Sequence, residues 1–299
     1  MTAAVALVTA RAARSLDADL APLAAALAGL GVHAEVTEWS DAGVDWQRFD
    51  AVVLRSAWDY HERLAEFLVW LERVARVTRL LNPLPVVRWS LDKHYLGELA
   101  HAGAPVVPTN YAEPGDDAAA VLDEFLAGDA CRELVVKPAI GAGSRDARRH
   151  ARDERGEILA HMAGLLAAQR SLMLQPYLET VDHAGETALM YLDGRFSHAI
   201  RKGALLPSGA PSTDALFAPE EIVARSAAAE ELAAGERVLS AVPFGPLLYA
   251  RVDLLRDAEG VPRLLELELA EPSFYFGHAP GSAQRFATAL VSRLPARRA

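Results

Sequence analysis

The chain is poor in cysteine: Cys131 is its only one among 299 residues. That excludes an internal disulfide and any multi-thiolate metal site, and fits a reducing cytoplasm. Positive charge is also short, with 30 Lys and Arg against 40 Asp and Glu and a formal net charge of -10. General affinity for a nucleic-acid backbone needs clustered basic residues and is not expected. No apolar run approaches the roughly 18 residues of a membrane span. Residues 1–19 carry no basic residue ahead of their short apolar run, which therefore reads as a buried strand and not a secretion signal, so a cytoplasmic protein is expected. His-Glu-x-x-His, Gly-x-Ser-x-Gly and Walker A patterns are missing, as is a Gly-x-Gly-x-x-Gly loop opening a helix. Nine scattered histidines then read as surface or packing residues. What remains is 52% hydrophobic and 23% charged, the make-up of a protein with two or three subdomains.

The first third alternates short apolar runs with helix-period segments: a strand over Val5–Thr9, a helix over Leu16–Leu30 with Gly31 as its C-cap, and a strand over Val32–Glu38. Next come a strand over Ala51–Ser56, a helix over His61–Val77, and a strand over Arg79–Leu81 closed by Asn82-Pro83. Strands alternating with helices predict a parallel sheet covered on both faces, with ligand contacts at the carboxyl ends of the strands. That puts Thr9 and the run Arg55-Ser56-Ala57-Trp58-Asp59-Tyr60 at the mouth. A boundary near residue 85 separates this domain from the rest. Beyond it, helices are expected over Ser90–Ala102 and Pro219–Val238, and strands over Glu133–Lys137, Ser171–Gln175 and Thr187–Leu192, the last followed by an Asp193-Gly194 turn. Strands over Leu247–Leu255 and Arg263–Leu269 form a hairpin. Segments around Ser208 and Ser212 read as loop, and Trp39, Trp46, Trp70 and Trp89 as core or interface.

Three segments carry chemistry. In Glu133-Leu-Val-Val-Lys137-Pro138-Ala-Ile-Gly141-Ala-Gly143-Ser144-Arg145 a strand ends in a lysine that can reach phosphate oxygens, and a glycine-containing loop follows whose amides can cover them; a surface turn is the bland alternative. In Leu174-Gln175-Pro176-Tyr177-Leu178-Glu179 an extended backbone leaves a strand beside apolar side chains, which suits an adenine edge, though an ordinary strand exit has the same look. In the hairpin, alternation puts Glu266 and Glu268 on one face and Arg251 and Asp253 on one face of the partner strand. Converging carboxylates repel one another unless a hard cation bridges them, and Mg2+ takes oxygen ligands together with substrate phosphates. Leu265, Leu267 and Leu269 are expected on the opposite, apolar face.

In this order the segments resemble the ATP-grasp superfamily, which includes D-alanine ligase, glutathione synthetase and ribosomal-protein glutamate ligases. The resemblance covers residues 86–292, and residues 1–85 resemble the accompanying N-terminal domain. It implies an α/β fold, α+β in its C-terminal part: an N-terminal parallel α/β domain, a small α+β lid over about 119–175 and a C-terminal β-rich lobe. It further implies ATP, with Mg2+ and Mn2+ as a substitute. Lys93 and Lys137 would contact phosphates. Gly141, Gly143 and Ser144 would belong to the lid loop, Gln175, Tyr177 and Leu178 to the adenine hinge, with Glu186 near the ribose. Asp253, Glu266 and Glu268 would hold metal, although the family commonly ends this motif Glu-x-Asn, with Glu271 in reserve. Arg201, Lys202 and Arg251 would neutralise the γ-phosphate and the substrate carboxylate.

The segments Arg55–Tyr60 and Glu266–Ser273 are similar to those of a cyclo-ligase within the family. This implies that a small amino-acid substrate is phosphorylated on its carboxylate and closed into a five-membered ring by its own nitrogen, an antibiotic-biosynthesis step. Ser56, Trp58, Asp59 and Tyr60 would face that substrate. An intermolecular amino-acid or peptide ligase and a non-catalytic nucleotide-binding module are the alternatives. No nucleic-acid or membrane partner is expected, and a homodimer is left open.

Overall fold

The computed structural model describes residues 2–128, 131–204, 206 and 221–295. The first sheet is parallel, with strands β1 (Ala3–Thr9), β2 (Val32–Glu38), β3 (Ala51–Ser56) and β4 (Leu80–Leu81) in the order β2-β1-β3-β4. Every residue of β3 is buried, as a central strand covered on both faces requires. Helix α1 (Leu20–Gly29) covers one face and α2 (Leu64–Val77) the other, the latter through Phe67, Trp70, Leu71 and Val74. Trp39, Trp46 and Trp70 lie in that second core layer, as expected.

Two helices, α3 (Leu84–Leu91) and α4 (Tyr95–His101), replace the single helix expected over Ser90–Ala102. Asp92 is extended (φ -110°, ψ 114°), and its carboxylate accepts the His94 N–H at 3.1 Å, so a side chain competes with the helical ladder. The break places Lys93 between the helices, where its N–H bonds Ala139 O at 3.0 Å.

A small antiparallel sheet follows, ordered β5-β8-β6-β7 from β5 (Asn110–Ala112), β6 (Glu133–Pro138), β7 (Arg148–Ala151) and β8 (Leu172–Pro176). Helices α5 (Ala118–Gly128) and α6 (Arg155–Ala167) bury Leu122, Phe125, Ile158 and Met162 against one face of it. The unit takes in β5, ahead of the expected start near residue 119.

After the short helix α7 (Val181–Ala184), a five-stranded antiparallel sheet is built from β9 (Glu186–Leu192), β10 (Arg195–Lys202), β11 (Ile222–Arg225), β12 (Tyr249–Arg256) and β13 (Pro262–Glu268), ordered β11-β10-β9-β12-β13. Strand β11 stands where a helix was expected. Ile222-Val223 are β-branched and complete the β10 edge, and helix α8 starts only at Ala229 and runs to Ala241. The expected start at Pro219, Ser208 and Ser212 lie outside the described residues. Helix α9 (Ser282–Ser292) returns to pack on α1, so the last segment of the chain closes the core of the first sheet. Among the described residues, no helix is long and apolar enough to cross a membrane.

Candidate active site

Side chains two apart on a strand share a face, and residues paired across antiparallel strands share it too. Lys202 pairs with Glu186, Asp253 with Glu266 and Arg251 with Glu268, which sets six ionisable groups on one face of the five-stranded sheet. All six line one cavity of about 470 Å3, within the range of a small-ligand site. The intervening residues Leu189, Tyr191, Ala199 and Val252 pack on the other face with Ala234 and Val238 of α8.

One irregularity alters the expected pattern. The register of β12 and β13 shifts between Asp253 and Leu254, so that Leu264 and not Leu265 pairs with Leu254. Leu264, Leu267 and Leu269 are the buried apolar set, whereas Leu265 joins the cavity side with Val135, Tyr177 and Leu255. A bulge re-aims a side chain in this way, and plain alternation misses it.

Ion pairs link the face. Lys202 Nζ lies 2.8 Å from Asp253 Oδ2 and also pairs with Glu186; Arg251 Nη2 lies 2.8 Å from the same Asp253 oxygen and pairs with Glu268. Burial alone would raise the Asp253 carboxyl, but Arg251 and Lys202 hold it well below the usual range. Burial pushes Glu186 up, with the nearby Asp253 charge acting in the same direction, beyond what its contact with the Lys202 ammonium offsets. Glu268 is raised by burial and by Glu266 and Asp253 beyond what Arg251 offsets, whereas Lys93 and Lys137 outweigh burial at Glu266 and lower it. Glu266 and Glu268 keep 28% and 25% of their side chains exposed toward the cavity, while Asp253, at 2%, lies beneath. Gly185 fits this floor because a side chain there would meet Lys202 O at 2.4 Å, and its φ is +72°.

Lys93 and the small sheet form the roof. Lys93 Nζ lies 3.1 Å from Glu266 Oε1 and donates to Gly141 O at 2.9 Å. Burial lowers Lys137 to about 8, with Lys93 nearby acting in the same direction. Gly143 and Ser144 take positive φ (63° and 60°), which turns the lid loop over the cavity they line. The loop meets the first domain through Tyr60 OH, which donates to Gly141 O at 3.3 Å, and through an Arg145–Glu62 ion pair. Gln175, Tyr177 and Leu178 line the cavity where β8 ends. The Tyr177 N–H is committed to Glu133 O at 2.9 Å, and Arg149 covers its ring at 3.6 Å. Leu178 makes no such backbone donation among the described residues.

Trp58, whose Nε1 donates to Glu271 O at 3.1 Å, and Tyr60 also line the cavity. Ser56 and Asp59 are not among the lining residues: Ser56 Oγ bonds Thr9 Oγ1 at 2.8 Å inside the core, and Asp59 accepts the Trp39 indole N–H at 2.7 Å. Arg201 is also elsewhere. It follows β10 onto the opposite face and pairs with Glu221 at 3.2 Å, because adjacent strand residues point apart.

Sequence reasoning missed the walls supplied by Asp17–Asp19 and Ser273–His278. These loops are joined by Asp19, which accepts the N–H groups of Phe274, Tyr275 and Phe276 at 2.6, 3.0 and 2.8 Å. The fully buried Arg55 stands 3.6 Å from Asp19 and 4.9 Å over the Phe274 ring. The short-range signal was the acidic pair Asp17-x-Asp19 immediately ahead of helix α1; its partner segment lies some 255 residues away.

The chain is 47% identical over 301 residues to the cycloserine biosynthesis protein DcsG of Streptomyces lavendulae, covering 97% of this chain and 98% of that protein. It belongs to the DcsG family of ATP-grasp ligases. The family model described as "D-cycloserine synthetase DcsG, N-terminal domain" matches residues 5–82. The crystal structure of D-cycloserine synthetase DcsG superposes with a TM-score of 0.92 at 44% identity, covering 98% of this chain and 100% of that one. The ATP-grasp ligase PsnB, complexed with a phosphomimetic variant of its minimal precursor, Mg and ADP, shares the fold at a TM-score of 0.63 and 20% identity, with 98% of each chain covered.

The DcsG-family residues fit a hard cation by donor type. Asp253, Glu266 and Glu268 supply only oxygen and face a cavity. Among the described residues no group of three or more His, Cys, Asp or Glu side chains is arranged to hold a metal ion, so these three do not form a complete protein cage. None is required, since Mg2+ is commonly held by one or two carboxylates with the remaining positions taken by phosphate and water.

Proposed function

We propose that the chain is an ATP-dependent cyclo-ligase that converts O-ureido-D-serine to D-cycloserine. The supporting observation is that one cavity holds both a floor of interleaved carboxylates and cations and loop walls bearing Trp58 and Tyr60, so that nucleotide and acid share one enclosure. Its relatives carry the names of cycloserine biosynthesis and D-cycloserine synthesis.

In this reading a substrate carboxylate oxygen attacks the γ-phosphorus, ADP leaves and an acyl phosphate forms. The ureido nitrogen attached to oxygen attacks the acyl carbon, expels phosphate, loses its proton and closes the ring. With water, the bond from that nitrogen to its carbamoyl carbon is cleaved, before or after closure, so that the carbamoyl group ends as CO2 and ammonia and the ring nitrogen regains a proton. Lys93 and Lys137 neutralise nucleotide phosphates, and Lys202 and Arg251 stabilise the charge that develops during transfer. Gln175 and Leu178 hold the adenine edge, the Leu178 N–H acting as donor because that of Tyr177 is taken, and Glu186 holds the ribose. Gly141, Gly143 and Ser144 exclude water from the acyl phosphate. Asp253, Glu266 and Glu268 hold Mg2+ or, as a substitute, Mn2+, which when bound polarises the phosphoryl oxygens. We place the enzyme in the cytoplasm as a homodimer, a state that light scattering reads directly.

The test is ADP release with Mg-ATP and O-ureido-D-serine and no added amine, set against the L-isomer, D-alanine and no substrate, with products identified by mass spectrometry. ADP with cycloserine from the D-isomer alone is the expected result. Release only on adding an amine makes this an intermolecular ligase, and nucleotide binding without turnover of any acid makes it a non-catalytic module.

A further inference from the structure

Asp19 is 4% exposed, and both of its carboxylate oxygens are given to one backbone segment. Oδ2 accepts the N–H groups of Phe274 and Tyr275 at 2.6 and 3.0 Å, and Oδ1 that of Phe276 at 2.8 Å. Three consecutive amides turned to one carboxylate fix the course of the chain. That hold is needed, because Tyr275 takes φ 52° and ψ 45°, a left-handed conformation that an aromatic residue keeps only where its surroundings impose it. Arg55 supplies the opposite charge. Its Nη2 stands 3.6 Å from Asp19 Oδ2, too far for a hydrogen bond, and its guanidinium lies over the rings of Phe274 and Phe286 at 4.9 and 5.7 Å. The cation thereby offsets the buried anion without taking an acceptor site from the three amides.

The segment held in this way reaches the floor of the cavity. The peptide whose N–H is that of Phe274 carries the carbonyl of Ser273, and Ser273 O accepts from Arg251 Nη1 at 3.3 Å. One planar peptide therefore joins Asp19 to Arg251, with the N–H on one side and the C=O on the other. The Tyr275 ring lies 5.9 Å from the same guanidinium. Arg251 is otherwise held through Nε and Nη2: Asp253 accepts from them at 2.9 and 2.8 Å, and Glu268 also pairs with Nη2. Among the described residues, Ser273 O is the partner of the Nη1 end. On the proposed reading Asp253 and Glu268 turn to metal when the site fills, and the Ser273 carbonyl is the hold on the guanidinium that no ligand displaces.

We infer that Asp19 is a positioning residue of this ligase: it fixes the Ser273-Phe274 peptide and, through that carbonyl, aims Arg251 at the charge that develops during transfer. The inference rests on the role proposed above for Arg251.

The experiment measures kcat for ADP release with Mg-ATP and O-ureido-D-serine in wild type, Asp19→Asn, Arg251→Met and the double variant, with active protein counted by Mg-ADP titration. Asn keeps one acceptor oxygen but loses the charge and turns an amide group toward donors. Asp19→Asn is expected to lower kcat by roughly 10- to 100-fold, the range for a reacting geometry displaced by about 1 Å, with Mg-ADP affinity within about twofold of wild type. Beside Arg251→Met the same change should cost less than about threefold, because residues that act as a unit are not additive. A merely structural role costs the same factor in both backgrounds, and that result overturns the inference. So does a kcat for Asp19→Asn within about threefold of wild type. Should Asp19→Asn not fold, Tyr275→Gly loosens the same segment from its other side, since glycine accepts the left-handed backbone. Its loss of kcat, roughly three- to tenfold, should likewise vanish beside Arg251→Met, and an equal loss in both backgrounds overturns the inference. A wild type that releases no ADP with O-ureido-D-serine overturns the proposed reaction and the inference with it, whereas equal factors in the two backgrounds leave that reaction standing.

Discussion

On the floor of the cleft, Glu186, Asp253, Glu266 and Glu268 are interleaved with Lys202 and Arg251, while Lys93 of the roof pairs with Glu266 and Lys137 lies close by. Elsewhere the walls are loops, and there the acidic residues Asp17, Asp19 and Glu271 line the cavity with Trp58 and Tyr275. The floor pairs opposite charges before anything binds and, on the proposed reading, works by exchange: cations released from carboxylates turn to phosphate oxygens, and the carboxylates to metal. The loop wall has no such network of side chains, and its acids are held by backbone donors: Asp17 Oδ1 accepts the Asp19 N–H, and Asp19 accepts those of Phe274, Tyr275 and Phe276. Buried charge is kept in both places, protected on the floor by opposite charge and in the loop wall by peptide N–H groups.

Removing one member of the floor is the harshest way to break this balance. Arg251→Met leaves Asp253 and Glu268 short of a cation and removes a group assigned to the developing charge. We expect kcat to fall by roughly 10³-fold, the range for loss of one transition-state donor, measured as ADP release. Stability should fall by roughly 3–5 kcal/mol, because a buried charge is left unpaired. Mg2+ should recover part of that loss in thermal melting by replacing the missing cation.

Lys137 sharpens the same comparison through pH. Its ammonium is lowered to about 8 from the ordinary 10.5, so in the free protein the charge is present below pH 8 and lost above it. Nucleotide affinity should therefore decline above pH 8 by at most tenfold per pH unit, the limit for one proton. Lys137→Arg should flatten the profile, since guanidinium stays charged. Folding stability moves the other way. The unfolded chain holds this proton up to pH 10.5, so the penalty for burying it fades as pH rises from 8 to 10.5.

The floor was legible in sequence because strands translate spacing into geometry. Glu266-Leu-Glu268 and Arg251-Val-Asp253 could be set on one face from period 2 alone, and the register agrees. The same rule separates Arg201 from Lys202, which the motif had grouped together. The bulge that turns Leu265 inward left no mark in composition. Strand β11 was mistaken for helix because four residues carry too little periodicity to outvote the helical run that follows. The loop wall was half legible: the mouth of the parallel sheet was placed by topology, and Trp58 and Tyr60 line it. Ser56 and Asp59, from the same run, turn into the first domain instead. Asp19 and Phe274 meet only through tertiary structure.

Trp58→Phe is the corresponding change in the loop wall and should be much milder. It removes the indole N–H that reaches Glu271 O at 3.1 Å while keeping a ring in place. We expect KM for the acid to rise by roughly three- to tenfold, the worth of one hydrogen bond and some packing, with Mg-ADP affinity unchanged in a direct titration. A loss of nucleotide affinity equal to the loss for the acid would show that the two regions are not separable.

The smallest effect is expected at Arg201, and it is the sharpest check on the face assignment. Arg201 neighbours Lys202 in sequence but pairs with Glu221 on the α8 side of the sheet, 30% exposed, and does not line the cavity. An ion pair of that kind contributes roughly 0–1 kcal/mol. Arg201→Ala should leave kcat, both KM values and Mg-ADP affinity within about twofold of wild type, since no group in the cleft loses a partner. A hundredfold drop in kcat would place this side chain in the cleft, which the alternation of β10 forbids, so the register of β9 and β10 would have to be shifted by one residue. That shift would also carry Lys202 away from Asp253 and remove a cation on which the charge pairing of the floor depends.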